Sequence, residues 1–153
     1  MTLEIADILT PERTISDVAV SSKKKLLEFI AGIISEELDD SSSDDIFERL
    51  IGRERLGSTG IGEGIAIPHC RLRQCDQALG VLLHLHEAID FDSIDRQPVD
   101  LVFALLVPEE ATDEHLQILA TLAQNFSQSS YREQLRKSGT NQQLFDSALV
   151  SHS

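Results

Sequence analysis

The chain has 153 residues, with 26 acidic and 13 basic side chains and a formal net charge of −13. That length fits a single domain over 1–153, able to bury roughly 68–70% of the surface an unfolded chain exposes. A surface so acidic repels nucleic-acid phosphates and anionic lipid, which argues against nucleic-acid binding and membrane-surface roles.

No apolar run approaches the ~20 residues a membrane span needs; the longest covers 101–107. Residues 1–17 are acidic and lack a basic stretch followed by an apolar one, so nothing suggests export. Cys70 and Cys75 stand five apart and do not make a disulfide framework. A reducing, cytoplasmic setting fits best.

In chain order, the spacing of Leu26, Leu27, Ile30, Ile33, Ile34 and Leu38 predicts a helix over 23–38, capped by Ser22. Three lysines in its first turn oppose the macrodipole. The acidic, serine-rich patch 39–45 feeds a second helix over 44–56. Ser43 is read as its cap, Ile46, Phe47, Leu50 and Ile51 as its apolar stripe and Gly57 as its end. Residues 57–64 hold four of the eight glycines and read as a loop. A short strand follows over 65–67, stopped by Pro68. Buried strands are predicted over 79–85 and 99–107, joined by a turn-rich connection over 90–96. Thr112 can cap a helix carrying Leu116, Leu119, Leu122, Ala123 and Phe126 on one face. Ser130-x-x-Glu133 and Thr140-x-x-Gln143 read as capping boxes of two shorter helices. Helices, then strands, then helices point to an α/β sandwich, a mixed sheet between helical layers.

The chemistry concentrates around His69. Between 53 and 75, Arg53, Arg55, Arg71 and Arg73 stand against Glu54 and Glu63, a local charge of +2 in a protein of −13. Pro68 fixes the backbone before His69, and the glycine run lets backbone come close to a ligand. Imidazole is a competent nucleophile near neutral pH, and arginine donors hold phosphate oxygens in fixed geometry. Phosphoryl transfer asks for little beyond such positioning and charge stabilisation. The competing reading is a structural histidine at a strand end.

His115 falls near the third position of the helix from Thr112, just after a strand. A helix N-terminus there suits anions and favours a neutral, hydrogen-bond-donating imidazole. The competing reading is a solvated first-turn residue between Asp113 and Glu114. His84 and His86 lie two apart on a strand and share a face. Without a third and fourth ligand they do not argue for a metal, and Cys70 and Cys75 add no zinc motif. The dinucleotide fingerprint fails because Ile65 stands where its third glycine is required, and no Gly-Lys-Ser/Thr follows the glycines. The acidic stretches 36–45 and 109–114 read as solvated faces and helix starts.

The run Arg53-Glu54-Arg55-Leu56-Gly57-Ser58-Thr59-Gly60-Ile61-Gly62-Glu63-Gly64-Ile65-Ala66-Ile67-Pro68-His69 resembles the signature of mannitol/fructose-class IIA proteins of the bacterial phosphotransferase system. Gln97-Pro98-Val99-Asp100-Leu101-Val102-Phe103-Ala104-Leu105-Leu106-Val107-Pro108 is a second similar block, and Glu114-His115-Leu116 carries a second family histidine. The similarity covers nearly the whole chain and is strongest to the nitrogen-regulatory branch.

The resemblance implies an α/β sandwich around a mixed, roughly five-stranded sheet. It implies that His69 accepts a phosphoryl group, as tele-phosphohistidine, from an HPr-type carrier (NPr), itself charged from phosphoenolpyruvate through an enzyme I. Arg53 takes the position of the arginine that neutralises that group, and His115 that of the pocket histidine beside it. Ser58, Thr59, Gly60, Gly62, Glu63, Gly64 and Pro68 form the supporting loop. Cys70 departs from the family, where glycine commonly follows the active histidine. Neither metal nor cofactor is implied. No IIB or membrane IIC domain is read in the chain, so regulatory targets, such as potassium-transport or sensor-kinase components, are expected ahead of direct sugar transport. Two rival readings stand beside this: a transport IIA that passes phosphate to a separate IIB, and a binding module whose histidine does not transfer.

Overall fold

The computed structural model describes residues 4–38, 42–73, 75–111 and 113–150. Among these, six strands form one mixed sheet: β1 (Thr14–Val18), β2 (Gly60–Gly62), β3 (Ile65–Ala66), β4 (His69–Leu72), β5 (Leu79–Ile89) and β6 (Val99–Pro108). The order is β1-β5-β6-β3-β2, with β4 also pairing β6. β5 runs antiparallel to β6, while β1 is parallel to β5 and both β3 and β4 are parallel to β6. β3 and β4 are successive lengths of one path along β6, Ile65 opposite Leu101 and His69 opposite Leu105. Pro68 separates them because it has no N–H for the ladder. Its carbonyl still accepts from Leu105 N at 2.8 Å.

β6 is buried on both sides, as expected for a central strand with helices on each face. Its residues divide by parity. Val102, Ala104 and Leu106 pack with α2 (Lys23–Glu37) and α3 (Ser43–Arg55). Leu101, Phe103, Leu105 and Val107 pack with α4 (Asp113–Phe126), α5 (Ser129–Lys137) and α6 (Asn141–Ala148), alongside the short α1 (Ile5–Ile8). The sandwich read from the sequence is therefore the fold, with one more strand than the five expected.

Several local expectations are corrected. Ser42, not Ser43, caps α3: its hydroxyl accepts from Asp45 N at 3.1 Å, and Ser43 is already helical. The glycine run is not loop throughout, since residues 60–62 pair with β3. Both long strands run further than read: β5 continues through its polar end to Ile89, which pairs Val99, and β6 to Pro108, which pairs Leu72 of β4. The buried stripe of α4 includes Ile118, Leu122 and Phe126, while Ala123 is exposed. Thr112, read as its cap, and residues 39–41 lie outside the described residues, as do the side chains of Glu114 and Leu116. Ser130 caps nothing, because α5 starts at Ser129 with Gln128 before it. Thr140 does cap α6, accepting from Gln143 N at 3.1 Å, but the Gln143 side chain returns to Gly139 N rather than to Thr140. Ser22 caps α2 as read.

Candidate active site

The C-terminal turn of α3, β4 and α4 meet at an edge of the sheet, where, among the described residues, β4 has a strand neighbour only on its β6 side. They enclose a hollow of about 430 Å³ lined by Arg49, Gly52, Arg53 and Leu56 from α3 and its end, His69, Cys70 and Arg71 from β4, Leu105 and Val107 from β6, and Leu119 from α4.

His69 is half-buried in this hollow. Its Nδ1 lies 2.8 Å from the Ile67 carbonyl oxygen. A carbonyl only accepts, so Nδ1 carries the proton and Nε2 presents its lone pair. Arg53 Nε points at that lone pair from 3.3 Å, and Arg53 Nη1 donates to the Gly57 carbonyl at 2.9 Å. The guanidinium is thus tethered by the chain end it terminates. Burial pushes the His69 pKa down; the Ile67 bond opposes this, Arg53 adds to it and Glu54 opposes it. The result is a neutral imidazole with one accessible nitrogen next to arginine, the state a nucleophile needs.

The loop under His69 is bonded from several sides. Ile67 N donates to the Thr59 carbonyl at 3.0 Å. Thr59 N donates to Glu54 Oε1 at 3.1 Å, and the Thr59 hydroxyl donates to Glu54 Oε2. The Ser58 hydroxyl donates to Phe91 O at 2.8 Å and accepts from Gly60 N at 3.0 Å. Gly60 lies against Ser93, so closely that a Cβ would come within 2.9 Å of it. Glu63 N donates to Asp95 Oδ2 at 2.9 Å, and Glu63 O accepts from Arg136 Nη2 at 2.7 Å. Gly64 has φ +80°, and a Cβ there would stand 2.5 Å from Arg136 Nη2. Glycine is what this turn admits.

Of the residues singled out from sequence, His69, Arg53 and Arg71 line one hollow, and Pro68 and the glycine loop support it. His115 is the third residue of α4 and half-buried, one turn before Leu119, which lines the hollow. Arg55 and Arg73 go elsewhere. Arg55 borders a separate depression with Lys23 and Asp92, and Arg73 pairs with Glu109 at 3.6 Å on the exposed surface. Cys70 is buried, and burial pushes its thiol up to about 12; burial likewise raises Cys75 to about 11. Neither is a thiolate nucleophile at neutral pH.

His84 and His86 border a different hollow, of about 380 Å³, and are bonded to carboxylates: His84 Nε2 is 3.5 Å from Asp100, and His86 Nδ1 is 2.6 Å from Asp17. Among the described residues, no group of three or more His, Cys, Asp and Glu side chains is placed to hold a metal ion.

Sequence reasoning missed Arg49, one helical turn before Arg53 and so on the same face; that i, i+4 spacing was the available signal. It also missed what Glu54 does. Counted as one negative charge, Glu54 is 7% exposed and is paired with Lys23 Nζ at 2.9 Å. Lys23 also lies 4.4 Å over the Phe91 ring. The lysine that opposes the α2 dipole is the counter-ion of a buried carboxylate 31 positions later.

The site is thus a histidine with a fixed tautomer, set against arginine at the sheet edge of an α/β sandwich. The chain belongs to the family described as phosphoenolpyruvate-dependent sugar phosphotransferase system EIIA 2, whose profile matches residues 7–149. It is 46% identical over 143 residues to a nitrogen regulatory protein of Pseudomonas aeruginosa, covering 94% of this chain and 93% of that one. The crystal structure of nitrogen regulatory protein IIA-Ntr from Neisseria meningitidis superposes with a TM-score of 0.89 at 42% identity, covering 94% of this chain and 98% of that one. The fold is shared with the IIA component in a complex of mannitol IIA and phosphorylated IIB from Escherichia coli, at TM-score 0.74 and 17% identity, covering 92% and 98%. No described helix is long and apolar enough to cross a membrane.

Proposed function

We propose that the chain is a cytoplasmic phosphoacceptor and regulatory protein of the nitrogen branch of the phosphotransferase system, taking a phosphoryl group onto His69 from an HPr-type carrier (NPr). The observation that carries this reading is the pair of bonds on the His69 ring: Nδ1 on the Ile67 carbonyl and Nε2 facing Arg53.

The carrier presents its own phosphohistidine. The Nε2 lone pair forms a P–N bond as the carrier's P–N bond breaks, and that electron pair returns to the carrier's ring nitrogen. As Nε2 gives up electron density the ring becomes cationic, and the Ile67 carbonyl dipole on Nδ1–H stabilises it. Arg53 shifts its donation from the lone pair to the incoming phosphoryl oxygens, with Arg49 and Arg71 adding positive potential at the rim. His115, at the first turn of α4, donates a hydrogen bond to the same group. The product is tele-phosphohistidine.

Leu56 lines the hollow and is 85% exposed, while Ile94 is 84% exposed on the turn that holds the glycine loop. Large apolar side chains left this open beside a charged site suit a docking protein. Phosphorylation adds about −1.5 to −2 charge there, which changes which surfaces fit. The partners expected are the carrier and, on the output side, regulated proteins such as potassium-transport or sensor-kinase components.

The test is incubation with phosphoenolpyruvate, enzyme I and NPr, followed by intact mass. One phosphoryl group should appear on the wild type and be lost with His69→Ala, but not with His84→Ala or His86→Ala. The adduct should be labile in acid and stable in base. Phosphorylation that persists in His69→Ala would end the assignment.

A further inference from the structure

We infer that Glu54 is a positioning residue for His69: its buried carboxylate, acting through Thr59 and the Ile67 carbonyl, selects the tautomer that leaves Nε2 free. Glu54 makes no contact with the ring. Its Oε1 accepts from Thr59 N and from Lys23 Nζ, and its Oε2 accepts from the Thr59 hydroxyl. Thr59 then offers its carbonyl to Ile67 N at 3.0 Å. Beyond Ile67, the Pro68 carbonyl is taken by Leu105 N at 2.8 Å. The Ile67 carbonyl therefore sits between two fixed points, one on the sheet and one on the loop, and Glu54 is the group that bonds Thr59, the loop residue bonded to Ile67, through both its N–H and its hydroxyl.

The cost of this arrangement argues that it has a purpose. A carboxylate 7% exposed gives up most of its hydration, and a buried ion pair does not in general repay that loss against apolar packing. Here three donors meet the carboxylate, so it can tie the helix that carries Arg53 to the loop that orients His69. The Arg53 side of the site and the Ile67 side are set by adjacent residues of one helical turn. Glu54 also places negative charge near the imidazole, which raises its pKa against burial.

This inference rests on the phosphoacceptor reading for its consequence but not for its measurement. The His69 tautomer is read from long-range nitrogen–proton correlation spectra of the unphosphorylated protein, with the ring titrated over pH, in wild type, Glu54→Gln, Glu54→Ala and Thr59→Val. Glu54→Gln keeps the shape and one acceptor oxygen for Thr59 N but loses the charge, and its amide NH2 faces the Thr59 hydroxyl, which can turn to accept. It should keep the Nδ1–H tautomer and lower the His69 midpoint. Glu54→Ala should give a mixture of tautomers and slow single-turnover transfer by roughly ten- to a hundredfold, the order expected when a reacting group is misplaced. Thr59→Val, which removes only the hydroxyl, should fall between them.

An unmixed Nδ1–H pattern in folded Glu54→Ala overturns the role. If Glu54→Ala does not fold, the Thr59→Val tautomer decides, and an unmixed Nδ1–H pattern there overturns it. Tautomer changes in a wild-type background that takes no phosphate would instead leave this role standing and remove the phosphoacceptor reading.

Discussion

Arg53 Nε and His69 Nε2 face each other across 3.3 Å, one on the last turn of α3 and the other on the first residue of β4. A donor aimed at a nucleophile's lone pair holds the ring neutral and occupies the place where a phosphoryl group would arrive. Arg53→Ala should therefore slow phosphoryl transfer by about ten- to a hundredfold, since each charge-assisted bond is worth roughly 1.5–3 kcal/mol. It should also raise the His69 midpoint, because Arg53 is one of the influences holding it down. Arg53→Lys should restore the charge but not the fixed fork geometry, and recover only part of the rate. Wild-type single-turnover kinetics in Arg53→Ala would show that the guanidinium is a spectator.

The histidines should titrate in a fixed order. Burial lowers His69 below its ordinary 6.5, and the Asp17 hydrogen bond raises the exposed His86 above it. For His69 the unfolded chain binds more protons between the two pKa values, so its contribution to stability is present above pH 6.5 and is lost as pH falls toward its folded pKa. For His86 the sign reverses: its contribution is present below pH 6.5 and fades as pH rises through its raised folded pKa. The acceptor should stay competent on going from pH 8 to slightly below 6.5 and lose activity only further down. Nuclear magnetic resonance titration checks the order, and Asp17→Asn should return His86 to the ordinary value without moving His69.

The two long strands, both early helices and the placing of Arg53, His69 and Arg71 around one hollow were legible because they are written locally, in apolar spacing and in a dense run of arginine, glycine and proline. What was not legible depends on distance in sequence. β1 reads as a polar segment until Leu82, Leu83 and Leu85 of β5 are beside it. β4 is invisible in His-Cys-Arg-Leu alone, since its pairing comes from Leu105 to Pro108. Glu54 entered the sequence reading only as one charge of the island, and only the fold brings Lys23 and Thr59 to it. Arg55 and Arg73 counted toward the positive island yet point away: Arg55 is two residues past Arg53 and so about 200° round the helix axis, and Arg73 lies beyond the end of β4 at Leu72, where the alternation that puts His69 and Arg71 on one face no longer applies.

Gly64 tests the loop independently of chemistry. Its φ of +80° and the 2.5 Å approach of Arg136 Nη2 to a would-be Cβ leave no easy accommodation. Arg136 is itself fixed on Asp100 at 2.8 Å. Burial would raise Asp100, but its bonds from His84 and Arg136 outweigh that and hold its carboxyl below the usual range. Gly64→Ala should destabilise the protein by about 1–3 kcal/mol, the order expected for an unfavourable backbone conformation. Urea unfolding measures it. An unchanged midpoint would mean that Arg136 and Asp100 yield freely and that the loop is softer than its bonds imply.

Regulatory output should be gated at the same hollow. The unphosphorylated site presents Arg49, Arg53 and Arg71 around a neutral imidazole, with Leu56 open beside them. A partner that docks there needs an apolar contact for Leu56 and acceptors or negative charge for the arginines. A phosphoryl group on His69 satisfies those arginines internally and repels the partner's acidic side, so one event removes both the attraction and the fit. Bait protein in three forms, wild type, His69→Ala and His69→Asp, can be presented to cytoplasmic extract of the native cell. Partners held by wild type and His69→Ala but lost with His69→Asp are the expected result. Leu56→Ala should weaken the same partners without altering the His69 titration. Efficient passage of phosphate from this chain to a sugar-specific IIB, with no charge-sensitive partner recovered, would assign the protein to transport instead.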